Sequence, residues 1–193
     1  MLSLSVLPLI AAERIGESRM DYFHISRTLD SSFLKGSFLA VGEDEIYFAT
    51  YYVAAAAAVI LFIVLLISAA KAGMDGRLTI RFLLLFGAVS IITESLRYDF
   101  FLSISFVGLQ QVAAALMLAL GVILAIRRSN RPKSGLAIAA IASLPLMVGI
   151  IIGLEFALDR TTWNKIVIYL LMIITVGIPA GLGMKLLSAE KES

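Results

Sequence analysis

The stretch YFATYYVAAAAAVILFIVLLISAA, residues 47–70, decides the class of this protein. It contains no charged side chain, and about 20 apolar residues at roughly 1.5 Å of helical rise each cross a hydrocarbon core about 30 Å thick. The stretch therefore predicts a transmembrane helix. Four further apolar stretches of crossing length follow it, at residues 78–96, 104–126, 134–158 and 163–187.

The overall composition supports the same class. Hydrophobic residues make up 60% of the chain, charged residues 16%, and the mean hydropathy is +0.97. So few polar residues cannot cover a water-soluble globule. We expect an all-α fold: a polytopic transmembrane helix bundle of about five full spans, with an N-terminal half-span at residues 1–12 that is too short to cross.

Residue usage excludes several kinds of site. The chain has no cysteine, which excludes disulfides, thiolate metal sites and a cysteine nucleophile. Its one histidine, His24, cannot form a multi-histidine metal centre. We therefore expect no metal and no cofactor. The basic residues lie at the ends of the spans rather than in one stripe, and the net charge is only +2, so no nucleic-acid partner is expected.

The distribution of basic residues predicts the orientation in the membrane. Lys71, Arg77 and Arg81 follow the first span, and the segment 127–133 after the third span holds four more basic residues. Because basic loops stay on the cytoplasmic side, both segments and the C-terminus are predicted to be cytoplasmic. Residues 13–46 are then an extracytoplasmic polar segment of a multi-pass plasma-membrane protein.

Two charged clusters interrupt the apolar pattern, LPLIAAERIGE at residues 7–17 and ESLRYD at residues 94–99. A charge near the hydrocarbon is costly unless it is paired or faces a polar cavity, so these clusters are the first places to look for function. The predicted topology puts both on the outer face. We therefore expect them to share one site.

The first cluster resembles the signature of the prolipoprotein diacylglyceryl transferase family, in which an apolar lead with a proline runs into Gly-Arg-x-Gly-Asn. Arg14 and Gly16 match that spacing. The second cluster, Glu94-x-x-Arg97 followed by Asp99, resembles the end of the family's Arg-Phe...Glu-x-x-Arg-x-Pro-Asp block, which begins here with RF at residues 81–82.

The next span extends the resemblance. GLQQ at residues 108–111 opens a span that reaches Gly121 and ends in Arg127-Arg128, similar to the family's Met-Gly-Gln helix. The resemblance thus covers residues 7–128, which would form a transferase-like core of three spans at 47–128. Residues 129–193 add two C-terminal spans.

The chain also departs from the family pattern. Glu13 and Glu17 replace the first glycine and the asparagine of the signature, Tyr98 replaces a proline, and Tyr52 stands where a glutamate is expected. The His-Gly-Gly motif of the family's N-terminal part is missing. The resemblance therefore implies a divergent relative that lacks that part.

By this resemblance the protein is a divergent phospholipid-dependent transferase of the bacterial inner membrane, acting in lipoprotein biogenesis and incomplete alone. It would move diacylglyceryl from phosphatidylglycerol to a lipoprotein cysteine. Its partners would be the anionic phospholipid headgroup, a lipoprotein precursor and a separate histidine-bearing N-terminal half. The departing phosphate gathers negative charge, and the planar fork of arginine binds phosphate oxygens in pairs.

The resemblance assigns roles to seven residues. The catalytic candidates are Arg14, Arg97 and Glu94, with Glu94 one helical turn from Arg97 and able to hold its guanidinium in place. The substrate-binding candidates are Arg14, Glu17, Arg97, Asp99, Gln110 and Gln111.

Other interpretations of the same residues stay open. Gln110 and Gln111 also suit a role in joining helices, and Glu155 suits a snorkelling or capping side chain near Arg160. Glycines at 149, 153, 177, 181 and 183 favour close helix packing. Two alternative functions remain: a non-catalytic membrane scaffold or subunit derived from the transferase fold, and a small-solute transporter with its fourth and fifth spans broken by glycine and proline.

Overall fold

The computed structural model describes residues 39–41, 46–48, 50–72, 76–96, 103–104, 107–129, 135–160 and 164–189. These residues are almost entirely helical. Each of the five helices is long and apolar enough to cross a membrane, which confirms the all-α fold with five spans. The half-span predicted at residues 1–12 lies outside the described residues. The helices are α1 Thr50–Ala72, α2 Gly76–Ser95, α3 Leu109–Arg128, α4 Gly135–Arg160 and α5 Lys165–Ala189.

Short strands account for two shifted boundaries. Strands β1 (Leu39–Val41) and β2 (Ile46–Phe48) pair antiparallel, so the first span begins at Thr50 rather than at residue 47. Strands β3 (Ser103–Ile104) and β4 (Val107–Gly108) form a second hairpin, so α3 begins at Leu109 rather than at residue 104. The β-branched residues beside each helix favour strand pairing over another helical turn.

Leu84 of α2 lies at the centre of the bundle. Its side chain is fully buried and fits against two glycines, Gly121 of α3 and Gly183 of α5. A Cβ atom at Gly183 would stand 2.8 Å from a Leu84 methyl carbon. These glycines let three helices meet around one leucine in a membrane, where close packing replaces the hydrophobic drive.

Helices α2 and α3 run antiparallel in the closest contact of the bundle. A Cβ atom at Gly87 would stand 2.7 Å from the backbone nitrogen of Leu118, so only glycine allows the two backbones to approach this closely. At one end of the pair Gly76 lies beside the guanidinium of Arg128. We call this the Arg128 end, and the opposite end, where α2 finishes, the Ser95 end.

The outer helices contribute less to the core. Among the described helices, α1 packs chiefly against α2 and leaves many of its apolar side chains on the surface, where lipid would cover them. Helix α4 packs chiefly on α5 and has a smaller contact with α3. Five glycines of the last two helices were predicted to allow close helix packing, and only Gly183 does so. The other four glycines of that set are exposed, and a Cβ atom there would meet nothing within 4 Å: Gly149, Gly153, Gly177 and Gly181.

The last two helices are continuous. Helix α4 runs through Pro145 and α5 runs through Pro179. The broken spans expected of a transporter are therefore not seen. Both helices join the same hydrophobic cluster as α2 and α3, so the fourth and fifth spans pack into the bundle beside the three that precede them.

Candidate functional site: a buried polar cluster beside a lipid-facing cavity

Gln111 and Glu155 form a buried polar pair at the Ser95 end. Gln111 lies in the first turn of α3 and is 3% exposed; Glu155 lies near the end of α4 and is 5% exposed. The Nε2 of Gln111 donates a hydrogen bond of 2.8 Å to Oε1 of Glu155. A donor bonded to a carboxylate makes a stronger hydrogen bond than two neutral groups do. This bond ties α3 to α4 where their apolar contact is small.

Ser95 connects the end of α2 to α5. Its hydroxyl donates a hydrogen bond to the sulfur of Met172 at 3.3 Å, and the hydroxyl of Tyr169 donates one to the backbone oxygen of Ser95 at 3.1 Å. The last carbonyls of a helix have no partner within the helix. Tyr169 supplies that partner at the C-terminal end of α2.

The Gln111–Glu155 pair and the group of Ser95, Tyr169 and Met172 form one polar cluster. The carboxylate of Glu155 lies within electrostatic reach of the Tyr169 hydroxyl, so α2, α3, α4 and α5 all contribute to it. The Oε1 atom of Gln111 is buried and accepts no hydrogen bond. An unpaired buried acceptor costs about 1–3 kcal/mol. The cluster therefore offers an unused acceptor inside an apolar bundle.

A cavity of about 260 Å³ lies beside this cluster, between α3 and α4. Its walls are apolar throughout: Ile91 of α2 lines it, and Gln111 contributes only apolar atoms to its surface. On α3 the cavity extends to Ala119, which is about 12 Å from Gln111 along the helix. Two lining residues, Leu116 at 66% and Val148 at 43%, are strongly exposed. The cavity therefore opens on the surface that would face lipid.

Arg160 and Asn164 lie at the same end of the bundle as the cluster, where α4 ends and α5 begins. The Arg160 guanidinium lies 5.8 Å from the centre of the Phe156 ring, within range of a cation–π contact. Asn164 precedes α5, and its side-chain oxygen accepts a hydrogen bond from the backbone nitrogen of Ile166 at 3.0 Å, which caps the helix. Cationic and polar groups thus border the apolar bundle here, as is usual at a membrane interface.

The predicted site residues divide into two groups. Glu94 is partly buried in the last turn of α2, Gln110 is exposed in the first turn of α3, and Gln111 is buried beside it. The structure thus brings these three to one end of the bundle. Four others lie outside the described residues, so their convergence stays a prediction: Arg14, Glu17, Arg97 and Asp99.

Glu155 overturns one expectation. The sequence favoured a side chain that snorkels near Arg160, but the carboxylate is buried and bonded to Gln111. The signal was present in the spacing, because Glu155 lies on the same face of α4 as the buried Ile151 and Leu158. Three further members of the cluster were not singled out from the sequence: Ser95, Tyr169 and Met172.

Two further findings bear on identity. Within the described ranges, no group of three or more histidine, aspartate or glutamate residues is arranged to bind a metal ion. Comparison of the sequence with protein-family models and with curated proteins gives no match, and comparison of the fold with solved structures gives none.

Proposed function

We propose that this protein binds a phospholipid at the Ser95 end of its bundle and uses it as a divergent transferase, similar to prolipoprotein diacylglyceryl transferase. The cavity between α3 and α4 carries the proposal. An apolar cavity that opens toward lipid gains dispersion contacts when an acyl chain fills it. Its walls extend about 12 Å along α3, a distance suited to the upper part of such a chain.

The polar cluster beside the cavity supports the proposed placement of the headgroup. Gln111 lines the cavity and Glu94 lies one helical turn beyond Ile91, which also lines it. A chain inserted here would carry its phosphate toward residues 97–99. There Arg97 would bind the phosphate with its planar fork, and Glu94 would orient Arg97. Arg14 and Glu17 would complete the headgroup site, as the resemblance implies.

The orientation of the protein belongs to the same proposal. Basic segments follow the first and third spans, and this supports an orientation with the Arg128 end and the C-terminus in the cytoplasm of a bacterium. The Ser95 end then lies in the outer leaflet of the plasma membrane. A lipoprotein precursor would meet the phospholipid on that side.

Lipid binding is tested first, by substitution in the cavity. Ala115 lines it, and Ala115→Leu should fill part of the space that the acyl chain needs. Ala113→Leu makes the same change at an exposed position of the same helix that does not line the cavity. Native mass spectrometry with phosphatidylglycerol should show at least about fivefold weaker binding for Ala115→Leu, since the lost contacts sum over many atoms. Equal binding by the two variants would contradict the proposal.

Transfer is tested second, with labelled phosphatidylglycerol and a peptide that carries a lipobox cysteine. We expect no turnover by the chain alone, because the family's histidine motif is missing and a base must take the thiol proton. Turnover should appear when a histidine-bearing N-terminal half is supplied separately. If neither the chain alone nor the chain with the N-terminal half transfers diacylglyceryl, while lipid binding is intact, the protein binds phospholipid without transferase activity.

A non-catalytic membrane subunit is the second candidate, and one observation favours it. Gln111, a proposed substrate-binding residue, is buried, and its amide nitrogen donates a hydrogen bond to Glu155. Such a pair holds helices together without any substrate. The transporter alternative gains no support from α4 and α5, because both helices are continuous.

A further inference from the structure

The described acidic residues lie at one end of the bundle only, whereas basic residues lie at both ends. Within the described ranges, the acidic residues all lie toward the Ser95 end: Glu94, Glu155 and Asp159. At the Arg128 end, the charged residues among those described are all basic: Lys71, Arg77, Arg81, Arg127, Arg128 and Lys185. A cluster of basic side chains at a membrane boundary attracts anionic lipid headgroups.

Arg81 is the most unusual member of the basic end. It lies inside the span of α2, about 7.5 Å along the helix from Gly76. Its side chain is partly buried, and its Nε atom is buried with no hydrogen-bond partner. A guanidinium near hydrocarbon is costly unless an anion or water meets it. No described carboxylate lies at this end to supply that anion.

The neighbourhood of Arg81 suits a phosphate group. Arg77 precedes it by one helical turn on the same face, and the guanidinium of Arg128 lies against Gly76, at the start of α2. A Cβ atom at Gly76 would stand 2.6 Å from Nη1 of Arg128, which shows how closely this guanidinium approaches the start of α2. The first turn of α2 has no acidic residue, and the partial positive charge at the N-terminus of a helix favours an anion.

We propose that Arg81, together with Arg77 and Arg128, binds the phosphate of an anionic phospholipid in the leaflet at the Arg128 end. This site is separate from the α3–α4 cavity and does not depend on the proposed transferase function. The phosphate lies at the depth that Arg81 reaches, and the paired oxygens of a phosphodiester match the fork of arginine. A lipid is favoured over free phosphate because Arg81 lies within an apolar span.

The test counts phospholipids bound to the purified full-length chain by native mass spectrometry. With phosphatidylglycerol as the probe, Arg81→Gln should weaken one binding event about tenfold, the effect of losing one charge-assisted hydrogen bond. Arg81→Lys keeps the charge without the fork and should weaken the same event about threefold. Arg127→Gln, at an exposed position of the same end, should change binding less than about twofold.

Two further arms identify the ligand. Phosphatidylcholine, which has no net charge, should bind this site at least about tenfold more weakly than phosphatidylglycerol does. Millimolar inorganic phosphate should not displace the lipid; displacement would show a site for free phosphate and overturn the proposal. Unchanged phosphatidylglycerol binding by both Arg81 variants would also overturn it. Ala115→Leu should remove a different binding event, so failure at one end is distinguishable from failure at the other.

Discussion

The bond between Gln111 and Glu155 allows the sharpest test of the packing at the Ser95 end. Substitution Gln111→Leu removes the donor and leaves the Glu155 carboxylate buried with one charge-assisted bond fewer. Side-chain hydrogen bonds between membrane helices contribute about 0.6 kcal/mol on average and up to about 1.7, and an unsatisfied buried partner adds about 1–3. The substitution also removes the unpaired Oε1 of Gln111, whose cost of about 1–3 kcal/mol offsets that of the unsatisfied partner. We therefore expect the variant to lose about 1 kcal/mol of the free energy of unfolding.

The assay is reversible unfolding in mixed detergent micelles, followed by helical circular dichroism. Gln110→Leu is the matched control, because Gln110 is the exposed neighbour of Gln111 and should change stability by less than about 0.5 kcal/mol. A double-mutant cycle with Glu155→Leu should give a coupling energy of about 1–2 kcal/mol. A Gln111→Leu variant as stable as Gln110→Leu would refute the reasoning.

Three other predictions concern packing and orientation. Gly87→Ala should destabilise the protein by about 1–3 kcal/mol in the same unfolding assay because its Cβ would press on the α3 backbone; Gly149→Ala, with open space around it, should be neutral or stabilising by up to about 1 kcal/mol. Tyr169→Phe removes the bond to Ser95 and should cost about 0.5–1.5 kcal/mol. An impermeant thiol reagent on intact cells should label Asp30→Cys and not Asn130→Cys, and the reverse pattern would disprove the topology.

Most of the fold could be predicted from the sequence. A run such as residues 47–70 leaves a membrane-spanning helix as the only structure that satisfies its backbone in lipid. The start of α3 was misplaced because hydropathy does not distinguish an apolar hairpin from a first helical turn. Ser103–Ile104 and Val107–Gly108 are apolar enough to extend the predicted span, yet they pair as strands.

Packing partners were harder to predict, because spacing alone does not say which face of a lipid-exposed helix meets a neighbour. Gly183 contacts Leu84, whereas Gly177 and Gly181 on the same helix face open space. Glu155 shows the same limit. Its burial depends on Gln111, which is far away in the chain and reaches it only after α3 and α4 pack.

Part of the candidate site could be predicted. The motif that drew attention to Glu94, Gln110 and Gln111 belongs to two different spans, and the antiparallel arrangement of α2 and α3 brings those ends together. Ser95 and Tyr169 carry no motif. They join the cluster through a contact between α2 and α5, and no local sequence pattern predicts that contact.

The central claim is that an acyl chain occupies the cavity between α3 and α4. Phosphatidylglycerol with a photoreactive group on one acyl chain tests it directly, after irradiation in reconstituted bilayers and mapping of the adducts by peptide mass spectrometry. We predict that adducts concentrate on the cavity walls at residues 112–119 and 147–152, and that Ala115→Leu removes them there. Helix α1 is an internal reference for ordinary lipid contact, since residues 59–67 include many exposed apolar side chains. Adducts on α1 as frequent as those on the cavity walls, and unchanged by Ala115→Leu, would contradict the account.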